Sequence, residues 1–324
     1  MPYEFKQNLE FPTVIDNSMR SAFVMCPMKY WLQYRQHLQP AKTNPDLFAG
    51  GCFAKGIEMA RRAFYEEKLS EEASINAGAV AFINEWGLEY DPDSDYTPKT
   101  FDATLGAYLD YFREYPMGMD TIQPYINAEG RAGVEFSFAI PIPDVTHPIT
   151  GEPILWAGRF DMLGEREGSL FVVDEKTTKQ LGATWLNQWD LRSQFTGYCW
   201  AAKEYGLPVA GAIVRGVRIL KARYGHAQVI TYRPQWQIDR WLEQVQRDIK
   251  RMIVSWEEQH YDMNFDGACT MYSGCQYRSL CTQRNPENWV PGYFHYRPWN
   301  PLANDKDNSG IAITEETLAS DITG

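Results

Sequence analysis

Two short apolar runs flanking Glu165-Arg166-Glu167-Gly168 constrain this chain more than any other feature. The runs, at about 154–163 and 169–177, are rich in β-branched and aromatic residues, and the polar, glycine-ending segment between them predicts a tight hairpin. With Gly164 opposite Ser169, Asp161 falls opposite Val172. Residues directly opposite share a face, as do residues two apart, so Asp161, Asp174 and Lys176 all point to one side. Diagonal neighbours in such a pair are roughly 7–8 Å apart, within reach of a shared ion. Carboxylates crowded on one face repel each other unless a cation neutralises them, and a hard divalent ion is the usual solution. The alternative is a solvated hairpin with Arg159–Asp174 and Asp161–Lys176 pairs, each worth about 0–1 kcal/mol.

Composition narrows the setting. A chain of 324 residues, 44% hydrophobic and 14% aromatic, buries a substantial core. No stretch approaches the ~18 consecutive apolar residues of a membrane span, and the N-terminus carries no basic region followed by an apolar run. A cytoplasmic location is expected. The net charge of −11 argues against a broad nucleic-acid-binding surface. Active-site acids would account for part of it, and basic residues do cluster at Arg215, Arg218, Lys221 and Arg223 and at Arg240, Arg247, Lys250 and Arg251. Six cysteines in such a compartment rarely mean disulfides. Cys269, Cys275 and Cys281, with five residues between neighbours, suggest metal or cluster ligation, with a fourth thiolate from elsewhere.

Periodicity predicts a helix over 17–37, capped by Asn17 or Ser18 and interrupted at Pro27 by a kink or a helix start. A second helix opens at Gly50-Gly51 and runs to about Lys68; others cover 71–86 and 101–115. Tyr90 to Pro98 reads as a loop. Strands are expected at 134–140, 154–163, 169–177, 209–219 and 228–232. A turn-rich segment spans Pro141–Pro153. Long helices are expected at 184–205 and 235–260. On the first of these, Gln194 and Tyr198 are four apart and share a face.

Asp161 followed by Asp174-x-Lys176 resembles the active-site signature of the PD-(D/E)XK nuclease superfamily. Gln194-Phe195-Thr196-Gly197-Tyr198 resembles the Q-x-x-x-Y motif of its RecB-type exonuclease branch. Cys26-Pro27-Met28-Lys29-Tyr30 resembles the segment that supplies the first cluster cysteine in iron–sulfur members, including CRISPR-associated and bacteriophage-encoded nucleases. Together the matches run from residue 18 to 281.

The resemblance implies an α/β (α+β) fold: a nuclease core with a mixed sheet flanked by helices, and N- and C-terminal helical regions joined by a metal cluster. It divides the chain into an N-terminal helical region (1–124), a core (125–234), a C-terminal helix with the cysteine loop (235–300) and a mobile tail (301–324). It implies Mg2+ or Mn2+ on Asp161, Asp174 and the main-chain carbonyl of Glu175. Lys176 then orients water or stabilises charge, and Gln194 and Tyr198 line the site. Where RecB-type enzymes carry a helix-borne histidine this chain has Ala54; Glu58, one turn on, is the substitute candidate. Cys26, Cys269, Cys275 and Cys281 are the implied ligands of a [4Fe–4S] cluster. Other members have two residues between the first two cysteines of the triplet; with five here, Zn2+ is the alternative.

The implied activity is a metal-dependent deoxyribonuclease, acting exonucleolytically on single strands or DNA ends in recombination, repair or replication. The alternatives are an endonuclease of the same superfamily, or a non-catalytic DNA-binding or assembly protein that keeps the fold. DNA is the expected partner, with a helicase or recombination protein as a further one and no membrane. For a phage-encoded chain the location is the host cytoplasm.

Overall fold

The hairpin is the spine of a mixed sheet. The structure, a computed structural model, describes residues 3–42, 44–88, 98–221, 223–265, 267–270 and 274–302. In chain order the elements are β1 (Val14–Asp16), α1 (Asn17–Met25), α2 (Pro27–Tyr30), β2 (Leu38–Pro40), α3 (Pro45–Tyr65), α4 (Glu71–Leu88), α5 (Phe101–Glu114), β3 (Gln123–Pro124), β4 (Val134–Thr146), β5 (Pro153–Arg166), β6 (Ser169–Thr178), α6 (Ala183–Leu186), α7 (Ser193–Glu204), β7 (Val209–Leu220), β8 (Arg223–Tyr232), α8 (Gln235–Glu257), α9 (Arg278–Cys281), α10 (Val290–Tyr293) and β9 (Phe294–Tyr296). They form two compact units. One draws on residues 3–42, 139–158 and 239–302, the other on 44–138 and 159–238.

In the second unit β5 and β6 are antiparallel, β6 and β7 parallel, and β7 and β8 antiparallel, with β3 antiparallel on β5. The parallel β6–β7 step requires a crossover, which α6 and α7 supply. Phe171 to Asp174 in the middle of β6 are all buried, which is why this run is apolar without alternation until its acid. Phe53, Ile57 and Ala60 of α3 pack with Tyr108 and Phe112 of α5 and Val217 and Ile219 of β7.

The hairpin turn is shorter than the sequence suggests. Arg166 pairs with Ser169 and Gly164 with Phe171, so the loop is only Glu167 and Gly168. Both have positive φ, 52° and 75°, the type I′ geometry whose twist matches its flanking strands. The register therefore differs by two residues from the expected one. An even shift preserves the face, so the facing argument survives, but Asp161 now lies opposite Asp174 instead of Val172.

In the first unit α1 is capped by Asp16, whose Oδ1 accepts from the Met19 amide at 2.7 Å. The interruption expected at Pro27 is a helix start: Cys26 is extended (φ −166°, ψ 112°), and Pro27 opens α2 at its first position. A π-helical turn, Trp31–Arg35, follows. The buried pair Arg20–Asp248 ties α1 to α8 at 2.6 Å. Strands β2 and β9 form a small antiparallel ladder beside Tyr277, whose hydroxyl donates to the Leu38 carbonyl at 2.6 Å.

Other boundaries also move. α3 starts at Pro45 behind an Asn44 cap, with Gly50 and Gly51 inside it. The expected 184–205 helix is split into α6 and α7. β4 continues to Thr146 through the segment expected to turn. Residues 90–97 of the expected loop, and 303–324 of the expected tail, lie outside the described residues.

Candidate active site

Every residue of the predicted acidic site lies in the second unit. The β5–β6 ladder ends at Met162–Val173. One residue further, Asp161 uses its side chain where a backbone partner would be: Oδ2 accepts from the Glu175 amide at 3.0 Å. Asp174 stands opposite, 2% exposed, and Lys176 Nζ lies 2.5 Å from its Oδ2. That contact is an ion pair without hydrogen-bond geometry. The predicted surface pairs Arg159–Asp174 and Asp161–Lys176 therefore do not form as written. Arg159 Nε instead lies 2.7 Å from Oε2 of buried Glu135 on β4.

Glu135 and Glu58 enlarge the acidic group. Glu58, in α3, is buried and held by Lys55 at 3.1 Å and Arg62 at 3.2 Å. Glu135 has a left-handed backbone (φ 54°) inside a strand, a conformation that costs a non-glycine residue of order 1–3 kcal/mol and concentrates at functional sites. Burial first, then the Asp161 charge, pushes the Glu135 carboxyl up to about 8. Asp174 is pushed up to about 7, by burial and then by Asp161, against the pull of Lys176. Asp161 is raised for the same principal reason. Burial alone would lower Lys176, but Asp174 and Asp161 hold it above the ordinary lysine range, so it carries its proton. An oxygen-only donor set, buried and mutually repelling, suits a hard divalent cation. Among the described residues, though, no three carboxylate, imidazole or thiol groups are gathered in a geometry that could hold an ion. The acids are within electrostatic reach of one another.

The opposite face of β6 is matched. Glu175 turns away from the acids, as strand alternation requires, and pairs with Arg61 at 2.5 Å. Tyr111 donates to the same carboxylate at 2.8 Å. Arg215 donates to Tyr111 at 3.1 Å and forks onto Asp120 at 2.7 and 2.6 Å. Burial would raise Glu175, yet the Arg61 charge holds its carboxyl below the usual range.

Gln194 and Tyr198 sit on α7, and Gln194 Nε2 donates to the Tyr198 hydroxyl at 3.0 Å. Their link toward the acids runs through aromatic packing. Lys176 Nζ lies 6.0 Å from the Phe195 ring, and Tyr198 packs on Phe138 and Phe160.

All four predicted cluster cysteines belong to the first unit. Cys26, Cys269, Cys275 and Cys281 line one cavity of about 290 Å³, together with Lys29 and Arg278. Burial, then Cys275, Cys26 and Cys269, pushes the Cys281 thiol up to about 11, so the four sulfurs are electrostatic neighbours. The Asn264 amide donates to Cys26 Sγ at 3.4 Å. Cys52 and Cys199 are buried elsewhere, in the second unit.

No helix among the described residues is long and apolar enough to cross a membrane. No curated protein matches the chain. Among solved structures, a candidate exonuclease from Eubacterium rectale is similar over 92% of this chain and 94% of its own, at 11% identity and a TM-score of 0.48. A second, SSO0001, is similar over 65% of this chain and 78% of its own, at 16% identity and a TM-score of 0.26. Both likenesses are too distant to bear on function. The family model of the PD-(D/E)XK nuclease superfamily matches residues 18–282, from α1 through both acidic strands to the last cysteine, and the chain belongs to that superfamily.

Proposed function

We propose that this protein is a metal-dependent deoxyribonuclease that degrades DNA from ends. The observation that carries the reading is the pairing of Asp161 and Asp174 across the β5–β6 hairpin, with Lys176 against Asp174 and Glu135 and Glu58 in electrostatic reach. Asp161, Asp174 and the Glu175 carbonyl are the ligands we assign to Mg2+ or Mn2+, with Glu58 as a further candidate. A divalent ion held by these groups would supply Lewis-acid stabilisation of phosphate charge and lower the pKa of a bound water. Lys176, kept protonated by its acids, offers a positive charge to the phosphate oxygens as negative charge builds on them. The Tyr198 hydroxyl, fixed by Gln194, and the Phe195 ring hold the Lys176 side of the site in place.

In the first unit we assign a [4Fe–4S] cluster to Cys26, Cys269, Cys275 and Cys281. The resemblance of the remote Cys26 and the C-terminal triplet to iron–sulfur members of the superfamily favours a cluster over zinc. Anaerobically purified protein is expected to be brown, with iron and acid-labile sulfide; stoichiometric zinc without iron would replace the cluster by a zinc site.

The activity is tested with end-labelled linear and closed circular single-stranded DNA in Mg2+ or Mn2+, beside Lys176→Ala. Linear DNA is expected to be degraded and the circle spared. Undiminished cleavage in excess chelator sinks metal dependence, and equal rates on both substrates make the protein an endonuclease.

A further inference from the structure

The four acids around the β5–β6 hairpin repel a polyanion, so DNA phosphates need a cation that those acids do not consume. Lys55 and Arg62 are engaged by Glu58, and Lys176, shared with Asp174, is already assigned to the scissile phosphate. Arg159 is different. Two residues before Asp161 on β5, it shares that residue's face, about 6.7 Å along the strand. Its side chain is 35% exposed, while the Glu135 carboxylate behind it is 7% exposed. The pair's short contact is through Nε, and among the described residues the two terminal nitrogens donate no hydrogen bond. A guanidinium gripped at its inner edge presents an open fork, the shape that takes a phosphate by two parallel hydrogen bonds. The grip itself is costly. Glu135 is buried, left-handed in its backbone, and its Oε2 receives no hydrogen bond among the described residues.

We propose that Arg159 is a substrate-phosphate-binding residue of the nuclease site and that Glu135 is the positioning residue that aims it. The assignment rests on the nuclease reading above. It places a backbone phosphate of the bound strand beside Asp161.

The test is fluorescence anisotropy of a labelled single-stranded oligonucleotide, with Ca2+ in place of Mg2+ and the strand's integrity checked afterwards, from 50 to 200 mM salt. Loss of one phosphate contact lowers the slope of log K against log salt by about 0.7. Arg159→Met is expected to show that drop and about fivefold weaker binding at the midpoint of the range. Arg159→Lys should restore the slope. Glu135→Gln should keep the slope, because the cation remains, and lower the cleavage rate at saturating DNA. Because Arg159→Met leaves the Glu135 carboxylate unpaired, the double variant Arg159→Met/Glu135→Gln provides a folded protein without the cation and should match the single variant's slope. Wild-type slope and affinity in both variants lacking Arg159 would overturn the assignment and leave the nuclease reading intact. A wild-type protein that binds no oligonucleotide would overturn both.

Discussion

The two faces of β6 solve opposite problems with the same side chains. On one, Glu175 is surrounded by Arg61, Tyr111 and Arg215, and every charge has a partner. On the other, one residue earlier, Asp174 shares its space with Asp161 and is pushed up to about 7. A buried, compensated pair is a structural investment, because breaking it strands a charge. A buried carboxylate that must share one lysine with a second acid is only partly compensated, and such groups concentrate at functional sites. One strand thus separates what the fold needs from what the chemistry needs.

Substitutions on the two faces should fail in different ways, and the largest difference is in activity. Asp174→Ala is expected to lower DNA cleavage by at least about 10³-fold, as loss of a group central to transition-state charge stabilisation does. It should leave the melting temperature unchanged or higher. A variant that retains full activity removes Asp174 from the site.

Glu175→Ala should do the reverse. With Arg61 stranded, a loss of about 3–5 kcal/mol in unfolding free energy is expected, read from urea titration. A change below about 1 kcal/mol would show that the matched face is not holding β6.

Acidity separates the faces by sign. In metal-free protein Asp174 titrates near 7, against 3.8 for an ordinary aspartate, so the native state keeps a proton that the unfolded chain gives up. The Asp174 contribution to stability is then fully present below about pH 4 and is lost as pH rises toward 7, with Glu135 extending the loss toward 8. Glu175, held low, contributes stability that is present above its unfolded value and is lost as pH drops through its folded one. Thermal melts between pH 5 and 8 should decline by a few degrees, a trend that Asp174→Asn flattens and Mg2+ opposes. A rising melt over that range would contradict the raised Asp174 and Glu135 carboxyls.

The smallest effect belongs to α7. Tyr198→Phe deletes the acceptor of Gln194 and should cost about 0.5–1.5 kcal/mol in stability, with a severalfold loss of rate. An equal stability loss with no change in rate would make the pair purely structural.

What could be read from the chain follows the same division. The shared face of Asp161, Asp174 and Lys176 depends only on the two-residue period of a strand, so it was legible even with the wrong turn. The turn itself was misjudged because Glu167 occupies a left-handed position more often filled by asparagine, aspartate or glycine. Glu135 escaped notice because its importance comes from folding: its partner Arg159 and its neighbours Asp161 and Glu58 lie on other elements, and its left-handed backbone leaves no mark in composition. The network around Glu175 joins positions 61, 111, 120 and 215, far too scattered for any local pattern. The break at Cys26 was half-visible, since Pro27 allowed either a kink or a start and the structure takes the start.

The turn at Glu167-Gly168 controls more than its own neighbourhood. It is about 20 Å of strand away from Asp161, at six residues and ~3.3 Å each. Yet its length sets which residue of β6 faces that aspartate. One inserted residue, if the ladder slid to absorb it, would send Asp174 and Lys176 to the arginine side and bring Glu175 among the acids, with every residue of the proposed site still in the sequence. The distance between the acids is therefore inherited by counting from a remote loop, and loop length there is as much a part of the active site as any carboxylate.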